Sequence, residues 1–509
     1  METVMIFNDN DIEKIRLFGK LIFTNPFSEE RTEIERCLLG RKHIHLYQVW
    51  HSVNGELSVN RNLATINGLC SMLVERGLAE GQQLAAEADD AFLEDWDLLA
   101  IYWLFAKYSG PMCRNIYLGT DAEKENAQLY EDFALDFHLT IDLPGRTVPS
   151  SYSPEIIFAL FHQIHRAFNY IFDFIAGGTL AAANLRASIW QSIFTCDLKR
   201  YYRQLYSKMN MITTLITGES GTGKELAARA IAFSQFIPFN PNTRKFEQFY
   251  RSCFHPVQLS AMPQTLVESE LFGHSKGAFT GAIEEHHGHF ETCQSCGCIL
   301  LDEIGEISAE TQVKLLRLLQ TRQFQRIGGT DTITFKGKII AATNTNLQEA
   351  CDKGTFRKDL LFRLCADTIT TAPLRTLLDG REEELRQFAI ILSKRLLDGE
   401  DAIAFASQCC DWIITNLGLD YPWPGNVREL EQCLRNLLIR GEYTPMAQPQ
   451  KPTADTEEFL LNCGLDAESL MKAYVSALYK REKSMLGVAK ASGLDRRTVK
   501  KYLGNRFNS

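Results

Sequence analysis

The fold is decided by one continuous stretch, residues 213–225, which reads TTLITGESGTGKE. Its first five residues are apolar or β-branched, which predicts a short strand, and a helical pattern follows over residues 226–233. Between them lies the pattern G-x-x-x-x-G-K, whose glycines let successive backbone N–H groups face phosphate oxygens. We expect the phosphate-binding residues to be Gly218, Glu219, Ser220, Gly221, Thr222, Gly223, Lys224 and Glu225.

Two residues at the end of this loop define its chemistry. Lys224 is placed to reach the terminal phosphates, and the helix N-terminus behind it adds a partial positive charge. Glu225 stands where such loops usually carry Ser or Thr. Because the hydroxyl ligand is lost, we expect Mg²⁺ to depend on other carboxylates and on water.

Two further apolar runs predict strands of an α/β sheet. Residues 298–301 lead into Asp302 and Glu303, and residues 338–342 lead into Thr343 and Asn344. We expect Asp302 to hold Mg²⁺ through water and Glu303 to orient or deprotonate the attacking water. Asn344 is placed to sense the γ-phosphate or that water.

Two arginines complete the predicted catalytic set. Arg357 and Arg363 lie six residues apart in one helical stretch. An arginine offered to a γ-phosphate across a subunit boundary accelerates hydrolysis by roughly 10³–10⁵. In isolation two arginines in a helix are surface cations, and only the context of the predicted nucleotide site favours such a role here.

The hexapeptide at residues 277–282, GAFTGA, lies between the phosphate loop and Asp302. In this position it resembles the signature of sigma-54-dependent transcriptional activators, and the resemblance covers about residues 189–441 and the C-terminal tail. It implies an AAA+ ATPase that uses ATP and Mg²⁺, assembles as a homo-oligomeric ring, usually a hexamer, and remodels the closed complex of sigma-54 RNA polymerase. The implied sigma-54 contacts are Gly277, Ala278, Phe279, Thr280, Gly281 and Ala282, with Phe279 and Thr280 at the contact point.

The same resemblance assigns roles to three other sites. Arg357 and Arg363 fall where the family's trans-acting arginine fingers lie. In the stretch WPGNVREL, residues 423–430, Arg428 corresponds to the lid arginine that reports nucleotide state. Gln258 stands where the family carries an Asn that restrains the catalytic glutamate, and it offers the same amide one methylene further out. An additional stretch, residues 238–253, receives no function from the sequence.

A group of histidines and cysteines follows the hexapeptide within 13 residues. Its members are His286, His287, His289, Cys293, Cys296 and Cys298. They are potential nitrogen and sulfur ligands for Zn²⁺ or iron, or a redox-sensitive thiol pair. The competing interpretation is structural, because Cys298 begins a predicted buried strand where a small apolar residue fits.

The C-terminal tail differs in charge from the rest of the chain, whose net charge is −9. From residue 465 onward it holds ten basic and four acidic residues, and residues 485–504 predict a helix-turn-helix that resembles the family's Fis-like domain. The second helix would present Arg496, Arg497, Thr498, Lys500 and Lys501 to the major groove of double-stranded DNA. Before it, Leu470, Tyr474 and Leu478 predict one apolar helical face.

These features predict a fold class and a division into domains. The fold class is α/β: an AAA+ P-loop parallel sheet with a helical lid, preceded by a mostly helical N-terminal domain and followed by an all-α helix-turn-helix domain. We place a regulatory domain at residues 1–183, the ATPase at 184–442 with its lid from about 370, a linker at 443–457 and the DNA-binding domain at 458–509. The first 183 residues hold 26 acidic and 14 basic residues and no motif that identifies their signal.

Two alternative functions remain beside a sigma-54 activator that binds upstream DNA. One is an AAA+ ATPase that remodels another protein, and the other is a DNA-binding regulator whose ATPase plays no part in transcription. The absence of a signal peptide at the first ten residues and of any uninterrupted apolar run of 18 residues predicts a cytoplasmic protein without a membrane span. The 14 cysteines are then expected to be reduced thiols.

Overall fold

The computed structural model describes residues 6–44, 61–445, 467–482 and 484–503. The chain divides into two compact units, Met1–Glu442 and Tyr443–Ser509. Most of the predicted linker lies outside the described residues. None of the helices in the described parts of the chain combines the length and apolar character needed to cross a membrane.

The N-terminal head is helical, as its sequence predicts. Its helices are α1 (Asp9–Phe23), α2 (Glu29–Leu39), α3 (Arg61–Ala79), α4 (Gly81–Glu87), α5 (Asp90–Leu118), α6 (Glu123–Ile141) and α7 (Pro154–Phe174). Local signals fix where they begin. The side chain of Asp89 accepts a hydrogen bond from the Phe92 N–H at the start of α5, and Pro154 occupies the first turn of α7.

The centre of the α/β domain is a five-stranded parallel sheet. Its strands are β1 (Thr214–Thr217), β4 (Phe254–Gln258), β5 (Cys298–Asp302), β8 (Lys338–Thr343) and β9 (Asp367–Thr370). They lie in the order β4-β5-β8-β1-β9. The three strands predicted from apolar runs are β1, β5 and β8, which are neighbours at the middle of the sheet. They are almost fully buried because helices cover both faces.

Helices and two small hairpins surround this sheet. The helices are α8 (Leu180–Phe194), α9 (Leu198–Arg200), α10 (Lys224–Phe233), α11 (Gln264–Phe272), α12 (His289–Thr292), α13 (Ala309–Thr321), α14 (Leu347–Asp352) and α15 (Lys358–Leu364). The hairpins pair β2 (Phe239–Asn240) with β3 (Lys245–Phe246), and β6 (Gln323–Phe324) with β7 (Ile333–Thr334).

A helical lid follows β9. It consists of α16 (Leu374–Leu378), α17 (Glu382–Ser393), α18 (Gly399–Asn416) and α19 (Asn426–Arg440). The sheet, its covering helices, the lid and the helical head together confirm the predicted fold class.

The head and the α/β domain share one hydrophobic core. Phe158 and Phe161 of α7 belong to the same buried cluster as Ile231 of α10 and Ile340 of β8. At this junction the Gln163 side-chain amide donates to the Tyr201 hydroxyl (2.7 Å) and to the Ser234 carbonyl (2.8 Å). The predicted boundary at residue 183 falls inside α8, so the division between head and ATPase stays a prediction.

The second compact unit contains three described helices, Ala467–Glu482, Met485–Ser492 and Arg496–Leu503. Its core is formed by Val475, Leu478, Val488, Val499 and Leu503. The turn between the last two helices is made by Gly493, in the left-handed region with φ 70°. Of the predicted apolar face, Leu478 is buried, whereas Tyr474 is 48% exposed because Val475 turns toward the core instead.

Candidate nucleotide-binding site

The phosphate loop connects the end of β1 to the start of α10. Two of its glycines are required by close contacts. A Cβ atom on Gly218 would lie 2.1 Å from Thr371 Oγ1, and one on Gly221 would lie 2.5 Å from the Gly425 carbonyl oxygen. Both residues also have positive φ, 150° and 79°. The loop is therefore fitted between the end of β9 on one side and the lid on the other.

Lys224 lies at the centre of this loop. Its side chain is buried, and Nζ donates to the carbonyl oxygens of Gly218 (3.0 Å) and Glu219 (3.2 Å). Burial lowers the pKa of Lys224, while the carboxylates of Glu303 and Asp302 act in the opposite direction. The ammonium group thus lies within electrostatic reach of both predicted catalytic acids.

The two acids lie where β5 ends. Asp302 is half-buried. Its pKa is raised mainly by burial and, to a smaller extent, by the adjacent charge of Glu303. Glu303 takes the left-handed conformation (φ 57°), and its N–H donates to Asp302 Oδ1 at 3.1 Å. Its carboxylate Oε2 accepts from the Asn344 backbone N–H at 3.3 Å, so the ends of β5 and β8 position it together. Sites rich in negative charge at a strand end suit a hydrated divalent cation.

The amide side chains predicted to act beside these acids have other described partners. Gln258 is aligned with Asp302 in the β4–β5 pairing, but its Nε2 donates to Ser260 Oγ at 3.2 Å. Asn344 Oδ1 accepts from the Thr345 hydroxyl at 3.3 Å. No hydrogen bond between Gln258 and Glu303 is described, so the restraint of Glu303 by Gln258 stays a prediction.

The lid reaches the phosphate loop through residues near the start of α19. Asn426 Nδ2 donates to the Ser220 carbonyl (2.9 Å) and to Glu219 Oε2 (3.2 Å), and its Oδ1 accepts from the Leu374 N–H (2.8 Å). Arg428 Nη1 donates to Ser220 Oγ at 3.2 Å. Arg428 is thus at the loop as expected, whereas Asn426, quoted in the same motif, received no role from the sequence.

Two other loop contacts were also missed. Arg375 of α16 ion-pairs with Glu219, and the Thr222 and Thr371 hydroxyl oxygens are 2.7 Å apart. Glu225, expected to face the phosphates, instead lies exposed and pairs with Arg229 one turn further along α10 (2.6 Å). The i,i+4 spacing from Glu225 to Arg229 was the available signal for that pair.

The two predicted arginine fingers lie at and within α15. The Arg357 backbone N–H donates to Gln312 Oε1 (2.9 Å), and its guanidinium forms a two-point ion pair with Asp359. Arg363 is exposed, and the neighbouring Phe362 is 79% exposed. Neither arginine has a described contact with the phosphate loop of its own chain, and their action on another copy stays a prediction.

The hexapeptide forms an exposed loop held at its base. His274 pairs with His286 and Ile327 in short bridges, and the Gly277 N–H donates to the Ala282 carbonyl at 2.8 Å. Phe279 is 42% exposed with its ring against that of His274, and Thr280 is exposed. A closed base with an aromatic and a hydroxyl at the tip makes this loop a defined surface for contact.

The histidine and cysteine group is dispersed rather than gathered. Within the described parts of the chain no three His, Cys, Asp or Glu side chains are arranged to hold a metal ion. His287 pairs with Glu291 (2.8 Å), and His286 lies 3.6 Å from Glu270. Burial raises the pKa of Cys293 to about 12, so this thiol is unreactive at neutral pH. The structural interpretation of the group is the better supported one.

The C-terminal basic residues lie on one short helix. Its first turn is capped by Asp495, whose Oδ1 accepts from the N–H groups of Arg497 (2.8 Å) and Thr498 (3.1 Å). Arg497, Lys500 and Lys501 are exposed, while Arg496 begins the helix and its side chain lies outside what the structure describes.

Comparison with known proteins identifies the central region. Residues 195–370 match the family model of the Sigma-54 interaction domain. The Nif-specific regulatory protein of Azospirillum lipoferum is 45% identical over 233 residues, covering 45% of this chain and 33% of that protein. The Nif-specific regulatory protein of Klebsiella pneumoniae is 42% identical over 236 residues, covering 45% and 40%. Nitrogen fixation protein AnfA of Azotobacter vinelandii is 37% identical over 294 residues, covering 56% and 51%.

The chain thus spans between a third and about half of the length of these curated relatives. Among solved structures, NtrX from Brucella abortus aligns over 73% of this chain and 79% of that chain with 23% identity and a TM-score of 0.39. The family match and the relatives confirm the resemblance to sigma-54-dependent activators that the hexapeptide and phosphate loop indicated.

Proposed function

We propose that this protein is a sigma-54-dependent transcriptional activator. It binds upstream DNA and uses ATP hydrolysis to convert the closed complex of sigma-54 RNA polymerase into an open complex. The observation that carries this proposal is the exposed hexapeptide loop on a nucleotide-binding domain that matches the Sigma-54 interaction domain over residues 195–370. The relatives that share this region carry the names Nif-specific regulatory protein and nitrogen fixation protein AnfA.

The hydrolytic chemistry rests on the groups at the ends of β1, β5 and β8. Lys224 and the loop N–H groups bind the β- and γ-phosphates of ATP, and Glu303 orients and deprotonates the attacking water. Asp302 fits a hydrated Mg²⁺, because its pKa is raised by burial and by a second carboxylate that a cation would offset. The metal supplies charge neutralisation for the phosphates when it is bound.

The arginines extend the site across an interface between copies. Arg363 is exposed beside the exposed ring of Phe362, and neither is engaged by the phosphate loop of its own chain. A homo-oligomeric ring, hexameric in the family, would bring Arg363 and Arg357 to the γ-phosphate of the neighbour. Arg357 must first exchange its pairing with Asp359, an exposed contact that costs little to break.

A continuous path leads from the nucleotide to the contact loop. Gln258 at the end of β4 lies beside Asp302, and α11 follows after one short turn. On α11, Glu268 pairs with Lys314 of α13 (2.6 Å), and the Ser269 hydroxyl lies 2.7 Å from His274 Nδ1 at the base of the loop. A change in the contacts of Gln258 on hydrolysis would therefore move the loop that carries Phe279 and Thr280.

The C-terminal unit supplies the proposed DNA contact. Arg497, Lys500 and Lys501 project from the exposed face of the last helix, and Val499 and Leu503 anchor its other face. This arrangement places basic side chains where a recognition helix meets phosphates and base edges in the major groove. Arg496 belongs to the same proposal from its place in the sequence.

The test is Thr280→Ala. We expect ATPase activity to stay within about twofold of the wild type, because Thr280 is exposed and has no described contact with the phosphate loop, while transcription from a sigma-54 promoter falls at least about tenfold. Thr330→Ala, at an exposed threonine in the neighbouring hairpin loop, is the matched control and should keep both activities. Full activation by Thr280→Ala would overturn the assignment of the loop, and the protein would then be an ATPase that remodels another partner.

A further inference from the structure

A cavity of about 210 Å³ lies between the head and the α/β domain. Its walls come from the α5–α6 connection, from α7 and from the segment after β2. The lining includes Ile116, His162, Arg166, Phe246, Phe249 and Tyr250. Three of these belong to the additional stretch at residues 238–253, to which the sequence assigned no function. That stretch therefore forms one wall of a cavity whose other walls are in the head.

Arg166 is a buried cation at this cavity. It is 3% exposed, its Nη2 donates to the Gln235 carbonyl at 2.9 Å, and its Nε has no hydrogen-bond partner among the described residues. Burial lowers its pKa, and the groups that oppose this effect are thiols and phenols, led by Cys253 and Tyr250. No carboxylate of the described chain lies within ion-pair distance of it. The guanidinium is held by one carbonyl and by the ring of Tyr250, whose centroid lies 5.4 Å from Cζ, but it lacks the anion that usually accompanies a buried cation.

His162 provides a second unsatisfied polar atom one turn earlier on α7. It is 4% exposed, its ring packs against those of Phe158 and Phe246, and its Nε2 has no hydrogen-bond partner among the described residues. Burial lowers its pKa well below the usual value, so the ring is neutral at pH 7. Buried polar atoms are almost always hydrogen-bonded, and these two atoms without described partners belong to residues that line the same cavity.

The charges at the mouth of the cavity are balanced, unlike those inside. Arg244 pairs with Glu131, and Lys245 pairs with Glu123 at 2.5 Å. Glu247 also lines the cavity but is exposed to solvent. Phe246 and Phe249 supply apolar wall, while Asn115, Asn126 and Gln248 supply amide groups. The cavity thus combines one cation without a described carboxylate partner, one neutral imidazole and walls that are partly aromatic and partly polar.

We propose that this cavity binds a small organic carboxylate, with Arg166 and His162 as the groups that receive its charged end. A planar carboxylate matches the guanidinium fork and needs few donors, and its carbon skeleton would pack on Phe246 and Phe249. A phosphate would bring a second negative charge and more acceptor oxygens than the two free nitrogens satisfy.

The cavity is linked to the nucleotide site by one helix. Gln235, which accepts from Arg166, follows the C-terminal end of α10, and the N-terminal end of α10 is Lys224 of the phosphate loop. Gln163 on α7 holds the adjacent Ser234 carbonyl. An anion that draws Arg166 away from Gln235 changes the support of α10, so binding is expected to change ATP hydrolysis. This regulatory step rests on the proposed ATPase function, whereas binding itself does not.

Binding is tested on the full chain without nucleotide, with sodium succinate and sodium benzoate as probes and sodium chloride and sodium phosphate as comparisons. We expect at least one carboxylate to raise Tm saturably, by several degrees at 100 times Kd, which corresponds to about 2.7 kcal/mol of linkage. No saturable shift with either carboxylate, or an equal shift with phosphate, would overturn the proposal.

Two variants locate the site. Arg166→Met should abolish the carboxylate-dependent shift while leaving Tm without probe within a few degrees of the wild type, because an apolar chain replaces an uncompensated buried charge. His162→Phe keeps the ring packing and should raise Kd for the probe at least about fivefold. Arg203→Met, on an exposed arginine of the described chain away from the cavity, is the matched control and should retain the shift. A collapse of Tm in Arg166→Met together with an unchanged Kd in His162→Phe would show that both residues are structural.

The effect of the probe on the ATPase rate is measured separately from its binding. In the wild type the effective probe should change the ATPase rate at least about twofold, and in Arg166→Met it should change nothing. A chain that shows the Tm shift but no ATPase activity would contradict the proposed function and leave the binding site standing. A chain that hydrolyses ATP but shows no shift would contradict the binding site alone.

Discussion

Arg375 of the lid and Glu219 of the phosphate loop form a two-point ion pair, with Nη2 2.5 Å from Oε1 and Nη1 3.0 Å from Oε2. Hydrogen bonds, mainly from Arg375 and to a smaller extent from Asn426, lower the pKa of Glu219 from 4.5 to about 2. Because folding lowers this pKa, the pair contributes its full stabilisation of the folded chain above about pH 4.5. That stabilisation is lost as the pH falls toward 2 and Glu219 becomes protonated. A carboxylate on a loop that binds phosphates is tolerated because the lid neutralises it.

Arg375→Ala is expected to raise Kd for a non-hydrolysable ATP analogue by about three- to tenfold, because it leaves the Glu219 charge facing the phosphates and removes a lid contact. Isothermal titration at pH 7.5 measures it. Glu219→Gln in the Arg375→Ala background removes the repulsion and should recover most of the affinity. Equal Kd values for the single and double variants would show that repulsion by Glu219 plays no part.

Glu303→Gln should separate binding from hydrolysis. The amide keeps the shape and can still accept from the Asn344 N–H, but it cannot take a proton from water. We expect nucleotide affinity within about threefold of the wild type and a fall in kcat of at least about 10²-fold. Glu306→Gln, at an exposed glutamate three residues further on, is the control and should remain active. A hydrolysis rate near that of the wild type in Glu303→Gln would show that another group activates the attacking water.

The sequence predicted the parts of this site that are local. Phosphate loops, strand ends with acids and the hexapeptide are each contained in one short segment, so the pattern alone is enough to predict residues 218–224, Asp302 and Glu303 as site residues. The partners that hold them are distant in the chain. Arg375 lies 156 residues from Glu219, and Asn426 lies 206 residues from Ser220. The spacing of apolar residues reports only on neighbours a few positions apart, so it does not predict contacts between residues separated by this distance in the chain.

The same limit applies to the head. Its helices follow from apolar periodicity, but their packing into one core with the ATPase depends on residues such as Gln163, which reaches Ser234 across 71 positions. Conversely, His286 and Cys293 are close in sequence and were candidate ligands. Their side chains are directed apart because Cys293 packs into the core below β5, whereas His286 lies in the bridge at the base of the contact loop.

Gly221→Ala should impair closure of the lid on the phosphate loop. The added Cβ would lie 2.5 Å from the Gly425 carbonyl oxygen, which is a backbone atom and cannot easily move away. The φ angle of Gly221 itself is 79°. Gly354→Ala is the matched control, because its φ is 75° and its Cβ would meet nothing within 4 Å. Both should lose about 1–2 kcal/mol of unfolding free energy from the positive φ, and Gly221→Ala alone should also raise Kd for ATP at least about tenfold. Similar nucleotide affinities would contradict the close contact.

Substitution of Arg363 tests whether the chain assembles so that one subunit acts on the nucleotide of its neighbour. Arg363→Ala should bind ATP but hydrolyse it at least about 10³-fold more slowly, because the γ-phosphate loses an arginine from the neighbouring subunit. Lys224→Ala should be inactive for a different reason, since it disrupts phosphate binding in its own subunit. Arg317→Ala, on the exposed face of α13, is the control and should keep full activity.

Mixing the two inactive variants then distinguishes action across an interface from action within one chain. In an equal mixture that exchanges subunits at random, about one interface in four joins an intact phosphate loop to an intact Arg363, so ATPase activity should recover to about a quarter of the wild-type rate. The recovered rate should rise more than linearly with protein concentration. A mixture as inactive as its components would place Arg363 at the nucleotide of its own chain, and the exposed surface around Phe362 would then require another explanation.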